Sequence, residues 1–353
     1  MRSQSISNDR IKHRYFRYLK DAEGHDEATI DAVAKSLARF EAYTKRRNFK
    51  QFHIEQARGF KLYLADQQNS RTGSPLSKST IYATLTHLKR FFRWLADQPG
   101  YRSRIRYADA QYFNPSEKDA RVATARREPR APTLDQVKHV VAQMPSNTAI
   151  ERRDRALIAF IAVTGARDRA VASMKLRHVE LSDGCVHQDG RDVQTKFAKT
   201  FDTWFFPVWD EGRAIVEDWL RYLRAELLFG NNDPVFPATN IEPDSNGNFA
   251  AAGLSKAHWS STGSIRKIFR SAFGHAGLDY FHPHSFRHML AMVGERMCQT
   301  PEEFKAWSQN LGHERAMTTF NSYGPVSPWR QGEIMRTLAE QRQRAVSVHE
   351  RAG

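Results

Sequence analysis

The apolar positions of the first hundred residues recur at three to four residues, the period of an amphipathic helix. One such helix is predicted from a cap at Asp26 through Phe40, because Ile30, Val33, Leu37 and Phe40 share one face. A second helix is predicted over 54–67 and a third over 77–97. The third has the most regular apolar stripe: Leu76, Ile81, Leu85, Leu88, Phe91, Phe92 and Leu95. The pattern indicates a helical N-terminal part.

This periodicity stops in the segment 102–130. The segment has eight Lys or Arg against four Asp or Glu, and it contains Pro115 and Pro129. It therefore predicts an extended basic linker, either along a phosphate backbone or as a solvated tether. Thr133 and Gln136 have the spacing of a capping box, which predicts a new helix and a domain boundary near 131.

The rest of the chain changes its period twice. Two helices are predicted first, over 134–143 and 152–164, and the second is apolar enough to be buried up to its stop at Gly165. Strand-like segments follow at 178–181, 185–188, 193–196 and 203–208. Helices return at 211–228, 261–276, 285–297, 302–311 and 329–344. The predicted fold is mainly α, with a small antiparallel β-sheet in the C-terminal domain.

Charge narrows the choice of partners. The 353 residues carry 54 Lys and Arg against 39 Asp and Glu, a formal charge of +15. A surplus of that size favours a nucleic acid, because each cation set against a phosphate releases counterions. The two cysteines, Cys185 and Cys298, lie far apart, which argues against a disulfide scaffold or a thiolate metal site. No signal peptide or membrane-spanning run occurs, so a soluble cytoplasmic protein is expected.

The polar face of the helix at 77–97 is the candidate DNA surface. Its alternative is an ordinary solvated face. The basic linker adds two arginines to the same surface. The predicted DNA-binding residues are Lys78, Thr84, His87, Lys89, Arg90, Arg93, Arg126 and Arg127.

A second group of residues has the chemistry to handle a phosphate. His284 and Arg287 lie three apart at a predicted helix start behind Pro283, where free amides favour an anion. Each residue of this group could also have a purely structural role. Arg167, for example, could form an ion pair with Asp168 or Asp154. The complete set, in chain order, is Arg167, Lys196, His284, Arg287, His313 and Tyr323.

The order Arg, Lys, His-x-x-Arg, Leu-Gly-His, Tyr behind a basic helical region resembles the tyrosine recombinase (phage integrase) family. The likeness spans about 10–340, and its first box is Thr164-Gly165-Ala166-Arg167. It implies a two-domain clamp: a helical core-binding domain and an α+β catalytic domain. The implied bounds are 1–114 for the DNA-binding domain, 115–131 for the linker, 132–345 for the catalytic domain and 346–353 for a tail.

The resemblance also implies a mechanism. Tyr323 would attack DNA and form a 3′-phosphotyrosyl bond, with Arg167 and Arg287 stabilising the phosphate charge. His284 would accept the tyrosine proton, Lys196 would protonate the leaving 5′-oxygen, and His313 would hydrogen-bond the phosphate. Neither a cofactor nor a metal is expected. The implied partners are double-stranded DNA with specific sites and, on DNA, a homotetramer that passes through a Holliday junction.

The implied role is integration, excision or transposition of a mobile element in the bacterial cytosol. Two alternatives stand beside it: a type IB topoisomerase-like strand transferase, which the Leu-Gly-His box disfavours, and a non-catalytic DNA-binding protein. The intact set of six residues disfavours the second. The helix at 329–344 is predicted to dock either on a neighbouring protomer or on its own domain.

Three positions depart from the family pattern. An acid often follows the first arginine by three residues, but Ala170 stands there and the nearest acid is Asp168. The tyrosine usually lies nine residues after the Leu-Gly-His histidine, whereas Tyr323 is the tenth. Lys199 competes with Lys196, which is preferred, for the role of the hairpin lysine.

Overall fold

The structure is a computed structural model. It describes residues 2–69, 72–125, 130–243 and 247–313, and six residues between 329 and 336. Contacts divide the chain into two units, Met1–Arg126 and Arg127–Gly353.

The first unit is built from α-helices. In chain order they are α1 (Arg2–Asp21), α2 (Glu27–Tyr43), α3 (Ile54–Asp66), α4 (Lys78–Ala96) and α5 (Glu117–Thr124), with short 3₁₀ helices at Phe49–Gln51 and Tyr107–Phe113. The helices predicted from the hydrophobic period are confirmed as α2, α3 and α4. Asp26 caps α2 by accepting from the Thr29 amide, and Ser77 caps α4.

An aromatic cluster forms the core of this unit. Phe40 on α2 and Phe92 on α4 meet edge to face at 5.4 Å between ring centroids, and Phe60 on α3 meets Phe40 at 5.1 Å. All three are fully buried. Packing of this kind joins the three helices through their apolar stripes.

The extended linker predicted over 102–130 is wrong for two of its stretches. Tyr107–Phe113 forms a 3₁₀ helix whose Phe113 is fully buried and stacks 5.1 Å from Phe92. Glu117–Thr124 is α5, which Ser116 caps by accepting from the Asp119 amide. The stretch lacks a long apolar period because both elements are short.

The second unit combines helices with two small sheets. Its helices are α6 (Leu134–Gln143), α7 (Ala149–Thr164), α8 (Asp168–Ser173), α9 (Asp210–Ala225), α10 (Gly263–His275), α11 (Ser285–Met297) and α12 (Pro301–Asn310). Its strands are β1 (Val179–Glu180), β2 (Cys185–Gln188), β3 (Phe201–Trp204), β4 (Thr239–Pro243) and β5 (Phe249–Leu254). Short 3₁₀ helices lie at Leu176–His178 and Lys196–Ala198.

The antiparallel sheet predicted for this unit is confirmed, with strand order β1-β2-β3. The strand predicted over 193–196 is wrong. Val193 is buried in the core, but the chain turns after it, and Phe197 and Ala198 adopt φ of 62° and 50°. Left-handed backbone at two successive non-glycine residues cannot continue a strand. The hairpin of β4 and β5 was not predicted.

Helix α7 is the centre of this unit, as its apolar sequence predicted. Every residue from 156 to 164 is buried. The helix ends at Gly165, whose φ of 61° lies in the left-handed region where glycine is favoured. The turn of chain that carries Arg167 follows this stop. It begins beside α11 and the end of α12, since a Cβ on Gly165 would contact Leu290 and Leu311.

No helix in the described part of the chain is long and apolar enough to cross a membrane.

Candidate active site

The buried guanidinium of Arg287 holds three elements together. One terminal nitrogen donates to the Gly165 carbonyl at the end of α7, at 2.7 Å. The other donates to the Leu311 carbonyl at the end of α12 and lies 3.1 Å from His313 Nε2. Arg287 itself lies on α11 and is 5% exposed. This one side chain therefore brings the first-arginine box, the His-x-x-Arg box and the Leu-Gly-His box to one place.

Close packing at Gly165 makes this junction possible. A Cβ there would lie 2.8 Å from Leu311 Cδ2 and 3.0 Å from Leu290 Cδ1. Gly312 has a φ of 68°, and a Cβ there would lie 2.7 Å from the Phe201 ring. A larger residue at Gly165 would force apart the segments that Arg287 joins, and one at Gly312 would push the end of α12 away from Phe201 on β3.

Arg167 stands at the N-cap of α8, two residues after the stop of α7. Burial lowers the pKa of Arg167, and burial together with the charge of Arg167 lowers the pKa of Arg287 to about 9. Within the described ranges, no carboxylate lies within ion-pairing distance of either guanidinium. Two neighbouring cations that lack a carboxylate favour an anion between them.

Asp168 forms its ion pair with Arg266 and not with Arg167. Its Oδ2 accepts from Nε and Nη2 of Arg266 on α10, at 3.1 and 2.9 Å. Ala170, at the position where the family often has an acid, is buried. The pairing of Arg167 with Asp168 or Asp154 considered from the sequence is wrong, because Asp154 binds Arg153.

We therefore expect Asp168→Ala to change the rate of DNA strand cleavage by less than about fivefold, since a partly exposed ion pair contributes about 0–1 kcal/mol. Arg167→Ala is the reference and should lose at least about 10²-fold. Single-turnover cleavage of a labelled duplex measures both. A loss at Asp168→Ala as large as that at Arg167→Ala would show that this acid supports Arg167.

Four histidines surround the two arginines. The ring of His284 lies 5.4 Å from that of His288 and 6.2 Å from that of His282. His282 and His288 are not among the site residues predicted from the sequence, although the four-residue spacing from His284 places His288 on the same helix face. His313 completes the group through its contact with Arg287.

Two of these histidines, His284 and His313, are neutral at neutral pH. Burial first, and then the charges of Arg287 and Arg167, lower the pKa of His313 to about 4. Burial and the charge of Arg287 also lower the pKa of His284 to about 4. His284 is exposed at the surface, so solvent screens these charges more strongly there. A neutral imidazole can accept a proton, which is the state that a general base requires.

The lowered pKa of His313 predicts a loss of stability in acid. Between pH 6.5 and about 4, the unfolded chain binds a proton that the folded chain excludes, so stability is full above pH 6.5 and falls below it. His313→Gln should remove up to about 3 kcal/mol of this acid-dependent loss. Urea unfolding at several pH values measures it. Replacement of the exposed His275 with Gln is the control and should keep the wild-type pH profile. A His313→Gln variant with the wild-type profile would contradict the lowered pKa of His313.

The two candidate lysines lie on the segment between β2 and β3. Lys196 is exposed, with Nζ 4.8 Å from the centroid of the Phe197 ring. Lys199 is half-buried, with Nζ 5.8 Å from the centroid of Phe201. Lys199 and His313 both line a pocket of about 790 Å³, which extends to Trp307 on α12. Of the two lysines, Lys199 is therefore the one that lines a pocket together with a predicted site residue.

Tyr323 lies outside the described residues. In the predicted helix 329–344, the described residues 329, 331–333, 335 and 336 are helical.

Most of the predicted DNA-binding residues lie on the surface of α4 and have partners in the first unit. Lys78 pairs with Asp119 at 2.7 Å, and Arg90 with Glu23 at 2.7 Å. The prediction for Thr84 is wrong: it is 1% exposed, and its hydroxyl accepts from Arg39 and donates to the backbone. His87 is half-buried and forms a hydrogen bond with Ser36, and Lys89 is half-buried. Arg93 is exposed near the Tyr107 ring. Arg126 and Arg127 lie outside the described residues.

Comparisons with known proteins identify relatives of this chain. The model of the phage integrase family matches residues 132–328. Tyrosine recombinase XerC of Lactobacillus delbrueckii subsp. bulgaricus is 24% identical over 313 residues, 88% of this chain and 92% of the relative. XerC of Escherichia coli O157:H7 is 22% identical over 311 residues, 87% of this chain and 88% of the relative.

Solved structures show the same fold. The Tn1549 transposon integrase in complex with transposon right end DNA has a TM-score of 0.61 at 13% identity, covering 93% of this chain and 99% of that one. A lambda integrase dimer bound to a COC′ core site has a TM-score of 0.59 at 13% identity, covering 91% and 96%. The chain belongs to the phage integrase family of tyrosine recombinases, enzymes that cleave and rejoin DNA strands.

Proposed function

We propose that this enzyme is a site-specific recombinase that cuts and rejoins DNA through a 3′-phosphotyrosyl bond at Tyr323. The observation that carries the proposal is the pair Arg167 and Arg287: two partly or fully buried guanidinium groups with no carboxylate at pairing distance among the described residues. A DNA phosphate would supply the missing negative charge. The cost of holding two cations together is thus offset when the substrate binds.

The chemistry follows from the charge that develops on the phosphate. The Tyr323 oxygen attacks phosphorus and forms a P–O bond while the bond to the 5′-oxygen breaks. The two guanidinium groups stabilise the charge on the non-bridging oxygens, and His313 donates a hydrogen bond to one of them. His284, neutral at pH 7, takes the tyrosine proton. The phosphotyrosyl bond retains the energy needed for rejoining, so no cofactor or metal is part of the proposed step.

The leaving 5′-oxygen needs a proton, and Lys196 is the proposed donor because it matches the family's hairpin lysine. Lys199 is its competitor, since it lines the pocket that includes His313. The two are three residues apart on one loop, so either ammonium could reach a leaving group.

A substrate with sulfur in place of the leaving 5′-oxygen distinguishes them. A thiolate leaves without a proton, so loss of the true acid should slow cleavage of the oxygen substrate by about 10²–10⁴-fold and that of the sulfur substrate only slightly. We expect this for Lys196→Ala and not for Lys199→Ala. The opposite pattern would transfer the role to Lys199.

The proposed partner is double-stranded DNA with specific recombination sites, bound by a helical domain at 1–114 and a catalytic domain at 132–345 joined by the segment 115–131. Lys78, His87, Lys89, Arg90 and Arg93 remain proposed DNA contacts, with Arg126 and Arg127. We further propose that four copies assemble on DNA and pass through a Holliday junction, with the helix at 329–344 docked on a neighbour or on its own domain.

The proposed biological role is integration, excision or transposition of a mobile element in the bacterial cytosol. Similarity to a transposon integrase and to lambda integrase supports it.

A nicked suicide substrate that carries the recombination site tests the function. The short product diffuses away after cleavage, so the covalent intermediate accumulates. We expect wild-type protein to give a denaturation-resistant protein–DNA adduct, and Arg167→Ala to give almost none. Absence of any adduct from the wild type on its own site would refute the proposal.

A further inference from the structure

The outer face of the hairpin formed by β2 and β3 carries a thiol, an imidazole and a carboxylate. One ligand atom from each of Cys185, His187 and Asp202 lies within 4.8 Å of the other two. Cys185 and His187 are two residues apart on β2, so their side chains leave the same face of the sheet. The register pairs His187 with Asp202 on β3, and His187 Nδ1 lies 2.8 Å from Asp202 Oδ1.

The surroundings of the thiol are acidic in a chain whose net charge is +15. Glu180 on β1 lies opposite Cys185 on the same face. Asp202 on β3 and Asp183 in the turn between β1 and β2 lie close enough to the thiol to interact with it electrostatically. Negative potential at this point favours a cation and disfavours DNA.

We propose that Cys185, His187 and Asp202 bind a zinc ion on this face of the hairpin. Thiolate, imidazole and carboxylate are the three donor types that zinc prefers, at about 2.3, 2.0 and 2.1 Å. Tetrahedral coordination at those lengths separates ligand atoms by about 3.3–3.8 Å. The three ligand atoms here all lie within 4.8 Å of one another, and His187 Nδ1 and Asp202 Oδ1, 2.8 Å apart, would separate slightly to bind the ion. The ion displaces the thiol proton to solvent, and water completes the coordination.

His187 and Asp202 can make the small adjustment that zinc requires. Their side chains are 53% and 47% exposed, so they rotate without disturbing the core. Cys185 is 3% exposed and provides the fixed point of the site. The donor set thus combines one rigid ligand with two mobile ones.

The position suggests what the ion does. The His187–Asp202 pair is followed by the Gln188–Phe201 pair and then by the segment 189–200, which carries both candidate lysines. Zinc would fasten the two strands directly below that loop. We infer a structural site that orders the loop, separate from the phosphate chemistry.

The cysteine spacing argued against a thiolate metal site because Cys185 and Cys298 cannot share one. The antiparallel pairing of β2 with β3 instead brings His187 and Asp202 close to Cys185. A sequence motif built on paired cysteines does not include these two residues.

Cobalt(II) is the probe, because a Co²⁺–thiolate bond gives a near-ultraviolet charge-transfer band that zinc then abolishes by displacement. The full-length protein should develop this band to saturation at one equivalent, and zinc should raise its melting temperature. Cys185→Ser should lose the band. Cys298→Ser, which removes the other free thiol, should keep it.

Cys185→Ser could lose the band because it misfolds, so two further variants are needed. His187→Ala and Asp202→Asn change exposed side chains and should fold normally. Each should weaken cobalt binding at least about tenfold, with unchanged circular dichroism, since loss of even an outer partner of a metal ligand typically costs about 10–100-fold in affinity. A wild type without the band, or a Cys185→Ser variant that retains it, would overturn the proposal. Neither result bears on recombination, so this proposal and the recombinase function can fail separately.

Discussion

Replacing Tyr323 with phenylalanine should abolish covalent capture of DNA while DNA binding remains. The change removes one oxygen atom, the proposed nucleophile, and leaves the ring. Of the residues after His313, only Tyr323 is a tyrosine, so no other phenol in that segment can replace it. We expect a loss of at least about 10⁴-fold in the rate of adduct formation, the size seen when a nucleophile is removed.

Denaturing gel electrophoresis of the suicide-substrate reaction measures this loss. Tyr280→Phe is the matched control, since Tyr280 is a partly exposed tyrosine four residues before His284. It should form adduct at the wild-type rate. Undiminished adduct from Tyr323→Phe would remove the nucleophile assignment, and equal loss in both variants would point to a general effect of losing a phenol.

Arg287→Lys should be the most damaging conservative change in the described part of the site. Lysine keeps a charge but cannot donate simultaneously to the Gly165 and Leu311 carbonyls and stay beside His313, as the planar guanidinium does. We expect cleavage to fall by at least about 10³-fold, combining the loss of a transition-state donor with displacement of the boxes it joins.

A second buried arginine separates catalysis from folding. Arg153 on α7 is 3% exposed and binds Asp154 and the Pro237 carbonyl. Arg153→Lys should lower the free energy of unfolding about as much as Arg287→Lys does. It should reduce the cleavage rate much less than Arg287→Lys. If both variants lost cleavage in proportion to stability, Arg287 would have only a structural role.

The hydrophobic period predicts α2, α3, α4 and α7, because a buried stripe fixes both the element and its orientation. It does not predict α1, a 20-residue helix whose sequence is mostly polar. Short elements escaped the hydrophobic period as well. Helix α5 has no buried residue, and the β4–β5 hairpin is almost wholly exposed, so neither leaves an apolar pattern. The Asn246-Gly247 dipeptide was an available turn signal for that hairpin.

The sequence proposes members of the site but cannot give their contacts. Chain order identified Arg167, His284, Arg287 and His313 through the family's motif. It could not show that Arg287 binds two backbone carbonyls, since carbonyls have no sequence signature. Nor could it show that Asp168 pairs with Arg266, 98 residues away.

Mapping the attachment site tests the central claim most directly. The wild-type adduct, digested with protease and nuclease, should yield one nucleotide-bearing peptide that contains Tyr323, with the nucleotide joined through its 3′-phosphate. An adduct on any other residue, or one joined through a 5′-phosphate, would contradict the proposed mechanism.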